Sequence, residues 1–471
     1  MTPASIFPAP SLPTGAAIHP GFKARPVLAD ADRCWRVEAH PSERESALWR
    51  LSLTVALDVR HAPPVPVAVE TCCGERLGQW SIHVPCPFEP FFLTLSSAQA
   101  RKVAQSGIRL SLPPELEGLI WFFTDAPEIA SARRFLPQLY PEPPGGRAAA
   151  FRRTLFSLAS LQPFSWLEGC VMDGLKEYGT PQALEALEQH WRYFGAGSPN
   201  GLFYCDPRSR PVRNAVYGRE GGLPFASLDV LSALRSAPAF AGIWSRFALA
   251  FNAAEAAAGD ANDYTAEGCY TVAYPSAVAA RLTGDPRLAE AALEVLDRRI
   301  GSLWHGGALS QGRTRLGRRT FVNWGRGIAW FLLGIIRSVP YLAEHVGVEE
   351  RLRPVFEEVA TWVTRFPLLE EGLWASYADD PGSGAETSGS CGIAAALALG
   401  VRQEWLPVEM LSLCRTVRQG ALAKVNAEGW LGGVSQINRG GDALQRGGYR
   451  IHSAMGMGLL GLLDATLQSM D

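Results

Sequence analysis

Several chemical signatures are missing from this 471-residue chain. It contains no CxxC, no HExxH and no clustered histidines, so it offers no metal-binding pattern. A G-x-x-x-x-G-K-S/T stretch is also missing, which leaves a phosphate-cradling loop unsupported. Excess charge of one sign is scarce. The 44 Lys and Arg face 46 Asp and Glu, a formal net charge of −2 with no long basic block. That balance argues against nucleic acid or an anionic membrane as partner. The apolar run after Gly327 ends at Arg337, well short of the ~20 residues a membrane span requires. The opening stretch "MTPASIFPAPSLPTG" has Pro and Ser where a secretory signal needs a basic start and an apolar run. A soluble, cytoplasmic protein without metal or organic cofactor is expected. Nine cysteines are scattered, with Cys72 and Cys73 adjacent on an apparent strand. An odd, unpatterned set fits reduced, mostly buried thiols. Cys269 lies near Glu267, but no local His supports it as a nucleophile.

What is present changes character along the chain. Residues 1–30 are Pro-rich and read as an extended arm. From 31 to 140, short runs such as "ALWRLSLTVAL", "VPVAVETC", "PFFLTLS" and "LIWFFTD" are rich in β-branched and aromatic residues, and several alternate. Pro, Gly and Ser clusters separate them, as in a small antiparallel β-sandwich. "PQLYPEPPGG" at 137–146 reads as a linker. From 150 to 471 the pattern is helical. Six segments, near 157–177, 221–235, 268–283, 327–338, 387–400 and 453–467, are small-residue-rich and apolar on most faces. Amphipathic segments such as "TPQALEALEQHWRYF" and "DPRLAEAALEVLDRRI" lie between them. A helix apolar all round is buried, and a one-sided helix covers it. Six alternations predict a mainly α fold, an (α/α)6 toroid of six inner and six outer helices. The turns "NGLFYCD", "GGALSQG", "EGLWASYAD" and "EGWLGGVSQ" read as short extended connectors from an outer helix to the next inner one.

If the inner helices run parallel, their entrances collect at one end. Glu220 precedes "GGLPFASLDVL" and Glu267 precedes "GCYTVAYPSAV". Arg326, between Trp324 and Trp330, opens "GIAWFLLG" and needs an anionic partner, from the fold or from solution. Glu386 opens "TSGSCGIAAAL" and is either a helix cap or a substrate contact. Tyr449 and His452 lie in "NRGGDALQRGGYRIH", a loop that could close over a crater. Tyr217 and Tyr264 flank the two glutamates, as aromatics line a sugar site, and His305 in "SLWHGG" is a weaker candidate. A pair of carboxylates in a partly apolar crater is the apparatus of glycosidic chemistry, one protonated and one ionised.

These stretches resemble a family. "NWGRGIAWFLLGI" is similar to the W-x-R-G-x-x-W motif of the unsaturated glucuronyl and unsaturated rhamnogalacturonyl hydrolases. "AETSGSCGIAAALALGV" resembles their acid-opened, alanine-rich inner helix, and "TAEGCYTVAYPSAVAARLTGDPRLAEAALEVL" resembles their helix ending in "LTGDP". The resemblance covers roughly 155–470. It implies an (α/α)6 toroid and attack on a terminal uronic acid: the C4=C5 double bond of a 4,5-unsaturated uronate is protonated and hydrated, and the hemiketal collapses. It places the proton donor and base at Glu267 and a second essential acid near Glu220. Both are Asp in the family, so each carboxyl here is displaced by one methylene. Arg326 then suits a uronate carboxylate, with Trp324 and Trp330 as a platform.

The expected function is removal of a terminal β-linked uronic acid from oligosaccharides, with Glu267 as acid/base and Glu220 its partner. The remaining contacts fall to Arg326, Trp324, Trp330, His305, Glu386, Tyr217, Tyr264, Tyr449 and His452. A homodimer is compatible with this reading. A β-glucuronidase acting on saturated glucuronides through the Glu220/Glu267 pair is the alternative. A uronate polysaccharide lyase using Tyr449 or His452 as base, and a non-catalytic glycan-binding protein, are further ones.

Overall fold

The computed structural model describes residues 12–471 apart from 30–33, 41–47, 62, 142–145, 196–200, 207, 209, 232–236, 346 and the side chain of Asp260. The chain divides into two compact units, Met1–Pro143 with Pro207–Pro211, and Pro144–Asp206 with Val212–Asp471.

The first unit is built on strands β1 (Lys23–Pro26), β2 (Glu38–Ala39), β3 (Leu48–Thr54), β4 (Val65–Thr71), β5 (Arg76–Ile82), β6 (Pro90–Ser96), β7 (Ile108–Ser111), β8 (Trp121–Asp125) and β9 (Gln138–Pro141). A helix, α1 (Ser97–Ser106), joins β6 to β7. One sheet has the order β2-β9-β3-β6, a second β5-β4-β7, and β1 pairs with β8. The alternation in "VPVAVET" buries Val65, Val67, Val69 and Thr71 and leaves the residues between them half-exposed. Those valines share one core with Leu51 and Leu53 of β3, Trp80 and Ile82 of β5, Ile108, Leu110 and Phe122. This is the expected sandwich, with four departures. Lys23–Pro26, placed in the arm, is a paired strand. Gln138–Pro141, placed in the linker, lies inside a sheet because "QLYP" pairs antiparallel with β3. β2 runs parallel to β9, so the unit is not wholly antiparallel. Cys72 and Cys73 occupy the turn after β4. There Cys72 forms a disulfide with Cys34, while Cys73 is an exposed thiol. The expectation of nine reduced, mostly buried cysteines fails here, since a separation of 38 residues in sequence leaves no local pattern to read. The remaining six cysteines are buried and outside any disulfide among the described residues.

The second unit is the (α/α)6 toroid. Its outer members are α2 (Arg147–Leu155), α4 (Pro181–Tyr193), α5 (Ala237–Ala258), α7 (Pro286–Leu303), α9 (Val348–Val363) and α11 (Met410–Ala423). The inner members are α3 (Trp166–Tyr178), a 3-10 segment (Leu223–Val230), α6 (Tyr274–Thr283), α8 (Gly325–Leu342), α10 (Thr387–Arg402) and α13 (Ala454–Gln468). A short helix, α12 (Gly441–Arg446), precedes the last of these. The inner members touch in the cyclic order α3, 3-10 segment, α6, α8, α10, α13 and back to α3, which closes the ring. The second inner member is a 3-10 segment that Gly221 and Gly222 precede and that carries Pro224 in its first turn, residues that disfavour a regular α-helix.

Small residues make this ring possible. A Cβ on Gly174 of α3 would sit 2.5 Å from Gly458 O of α13, and one on Gly334 of α8 would sit 2.3 Å from Cys269. Backbones this close leave no room for side chains, so the small-residue bias of the six segments is a packing requirement. The connectors are extended as expected. β10 (Phe203–Cys205), β13 (Ser310–Arg313), β15 (Ala375–Tyr377) and β17 (Val434–Ser435) pair with β11 (Pro211–Arg213), β12 (Tyr264–Thr265) and β14 (Arg319–Val322), β16 (Asp380–Ala385) and β18 (Arg450–Ile451). Among the described residues, no helix is long and apolar enough to cross a membrane.

Candidate active site

Glu267 follows β12 and leads into a single π-helical turn, Cys269–Ala273, before α6. Such turns cost regular hydrogen bonding and recur at functional sites. The backbone around Glu267 is pinned from both sides. Ala266 N donates to Gln311 O of β13 at 2.8 Å. Arg299 of α7, fully buried and paired through both Nη atoms with Glu255, donates from Nε to Thr265 O at 3.0 Å. Gly268 lies against that guanidinium: a Cβ there would come 2.2 Å from Arg299 Nε.

The Glu267 side chain is only 8% exposed. Burial pushes its carboxyl up from 4.5 to about 7, and the nearby Glu220 adds to this. The charges of Arg219, Arg439 and Arg326 act in the opposite direction. The groups felt by Glu267 thus come from the entrance of the 3-10 segment, the entrance of α8 and the loop before α13. Residues far apart in sequence converge. No donor among the described residues reaches the Glu267 carboxylate. Glu220 differs: Arg439 Nη2 lies 3.3 and 3.2 Å from its two oxygens.

Arg326 is 1% exposed. Its Nη1 donates to Ser435 O at 2.9 Å and Ser388 Oγ at 3.4 Å, and its Nη2 donates to Gln436 O at 2.6 Å. Its Cζ sits 4.6 Å from the ring of Trp324 and 5.7 Å from that of Trp166. The aromatic neighbours are therefore Trp324 and Trp166. Trp330, one turn further along α8, stacks on Tyr270 and meets Trp166 edge-on. Ser388 Oγ links Arg326 to Glu386, accepting from Arg326 Nη1 and donating to the Glu386 carboxylate.

Glu386 caps α10. Its carboxylate accepts from Ser388 N at 3.0 Å, from Gly389 N and Ser388 Oγ, and from Ser435 N at 2.9 Å. Tyr264 is buried, with its hydroxyl donating to Gly259 O at 2.8 Å, away from the glutamates. Tyr217 packs edge-on against Tyr204 beside the Glu220 turn. His305 is exposed just beyond α7, its Nε2 3.1 Å from Ser302 O in the last turn of that helix, and among the described residues it makes no hydrogen bond to either glutamate. His452 packs on Gly432, next to the Arg326-bound connector. Tyr449 neighbours Arg450 in a loop that is tied down: Arg450 donates to Ala385 O, Ser383 O and Gly384 O. Tyr377 bonds Asp442, and Gln445 bonds Gln436 O and Ile437 O.

Sequence reasoning missed Arg219, Arg439, Trp166 and Gln311. Arg219 directly precedes Glu220, and Arg439 lies within "NRGGDALQRGGYRIH", so proximity was the available signal. Gln311 is 2% exposed, and among the described residues neither its amide nitrogen nor its oxygen has a partner. A Cβ on Gly327 would meet its Oε1 at 2.8 Å, which puts the amide against the first turn of α8. Trp324 Nε1, Ser376 Oγ and Ser435 Oγ are likewise buried without partners, all on connectors at the inner-helix entrances. Buried polar atoms are normally bonded, so such a set at one end of the ring suits a hydroxyl-rich ligand. Among the described residues, no group of three His, Cys, Asp or Glu could hold a metal.

Residues 284–460 match the model of Glycosyl Hydrolase Family 88. The chain resembles the glycosyl hydrolases of family 88. The matched residues and the fold indicate a glycoside hydrolase. A structure from Klebsiella pneumoniae subsp. pneumoniae MGH 78578, described as a possible member of GH105, shares 16% identity at a TM-score of 0.57, covering 70% of this chain and 96% of that one. An unsaturated glucuronyl hydrolase specific for heparin shares 11% identity at 0.52, covering 69% and 97%. A polysaccharide lyase shares 18% at 0.51, covering 69% and 98%. Identities this low carry the fold and not the substrate. No curated protein matches the chain.

Proposed function

We propose that this glycoside hydrolase removes a terminal 4,5-unsaturated β-uronic acid from oligosaccharides, with Glu267 as acid/base. The observation that carries the reading is a nearly buried glutamate, its carboxyl raised to about 7, surrounded by a second glutamate and three guanidiniums. An acid near neutrality can both give and take a proton at working pH. Glu267 would give its proton to C4 of the double bond. Water would then add at C5, with its excess proton returning to the Glu267 carboxylate. The C5 hemiketal then opens, the C1 linkage loses its acetal character, and the aglycone leaves. Glu220 would orient the water. The arginines favour an anionic sugar, and the unpartnered buried polar atoms suit its hydroxyls.

A second reading, a saturated β-glucuronidase, is favoured by the two glutamates themselves, each one methylene longer than the family's aspartate. A single pair of assays separates the two. With a lyase-generated unsaturated disaccharide, hydration erases the ultraviolet absorbance of the conjugated double bond. With p-nitrophenyl β-glucuronide, ordinary hydrolysis releases nitrophenol. Absorbance loss without nitrophenol supports the first reading, nitrophenol alone supports the second, and inertness toward both rejects the uronate assignment.

A further inference from the structure

We infer that Arg439, assisted by Arg219, is the anchor for the substrate's carboxylate, and that Arg326 is not. The inference deepens the uronate reading and rests on it. An anchor must have N–H groups free to meet an incoming anion. Arg326 does not. Both of its Nη atoms donate to the connector carbonyls of Ser435 and Gln436, and the guanidinium is sheathed by Trp324 and Trp166 at 1% exposure. Its geometry fastens the β17 connector to the first turn of α8.

Arg439 is arranged the other way. It stands on the 3-10 turn Asn438–Gly440, whose neighbouring loop is fixed by Gln445 and Arg450. Its side chain is 22% exposed, and among the described residues its one ion pair is with Glu220 through Nη2. Nη1 is buried with no acceptor among the described residues. A desolvated guanidinium N–H without a partner is unfavourable, and an oxygen supplied from outside would relieve it. Arg219 adjoins Glu220, and its guanidinium forms no hydrogen bond or ion pair among the described residues. Both arginines are close enough for Glu267 to feel their charge. A carboxylate held on Nη1 of Arg439 and on Arg219 therefore sits beside the acid, as C5 of a uronate must. Glu220 is the anion that occupies Arg439 while the crater is empty.

The test measures KM, kcat and competitive inhibition by free glucuronate, using the unsaturated disaccharide as substrate. Arg439→Gln should raise KM and the glucuronate inhibition constant together, by about 10- to 100-fold, the range for a bond to a charged group. Arg439→Lys should recover only part of this, because the fork is lost. Arg219→Gln should shift the same two constants by a smaller factor; it breaks no side-chain hydrogen bond or ion pair among the described residues, so it carries the test if the Arg439 variants do not fold. Unchanged glucuronate inhibition in both Gln variants overturns the anchor. So does an Arg326→Lys protein that keeps its melting curve but loses that inhibition. A wild-type chain that neither cleaves nor binds the disaccharide rejects the uronate reading itself, and the anchor with it.

Discussion

Glu386 and Glu267 occupy equivalent positions, each opening an inner helix at the same end of the ring, yet their surroundings differ completely. Glu386 is 2% exposed and takes four hydrogen bonds, two from the first backbone amides of α10 and one from the connector that precedes α13. Its charge meets the positive end of a helix and is fully used there. Glu267 is 8% exposed and receives no donor from the described residues, while a π-helical turn replaces the regular helix start that would have supplied amides. Burial without bonds raises a carboxyl, and burial with bonds holds it as a cap. The same residue type at the same architectural position is bonded as a helix cap in one place and left without a donor among the described residues in the other.

The largest expected effect comes from removing the poised carboxyl. Glu267→Gln should lower kcat/KM by about 10²–10⁴-fold, the usual share of a general acid/base, while the melting curve stays cooperative. Retention of more than a tenth of the wild-type rate would end the assignment. Glu386→Ala should show the reverse balance. Urea denaturation is expected to report a loss of about 2–4 kcal/mol, the sum of a lost cap and donors left buried without acceptors. A stable Glu386→Ala protein with abolished turnover would instead make Glu386 a substrate contact.

The contrast also has a pH signature. A carboxyl raised from 4.5 to about 7 in the folded protein binds its proton more tightly there than in the unfolded chain. Its contribution is full below pH 4.5 and is lost as pH rises through 7. Wild type should therefore weaken relative to Glu267→Gln above pH 7, by roughly 3 kcal/mol at most, and the two should converge below pH 4.5. Parallel stability curves across that window would place the Glu267 carboxyl at an ordinary value. The smallest effect is expected from Gly268→Ala. Its Cβ must displace the buried Arg299 guanidinium, at about 1–3 kcal/mol for overpacking. Because Arg299 also holds Thr265 O, activity should fall further than stability. A variant that loses stability alone would detach Arg299 from the positioning of Glu267.

Repeats and local periodicity carried most of the fold. Six apolar, small-residue-rich segments alternating with amphipathic ones are a direct image of inner helices packed backbone to backbone, as Gly174 on Gly458 demonstrates. The alternation in β4 likewise names its buried face. Both signals are local, because a helix or strand displays its periodicity within a few residues. The entrances of the inner helices could be read too, and with them Glu220, Glu267 and Arg326. Pairing across the chain could not. The Cys34–Cys72 bond, the seating of "QLYP" against β3 and the parallel β2–β9 register join residues whose separation leaves no pattern. Only tertiary structure shows how differently Glu386 and Glu267, or Arg326 and Arg439, are bonded. Each difference depends on which donors and acceptors arrive from other elements, and a side chain's hydrogen-bond partners, unlike its period, are not written in its own neighbourhood.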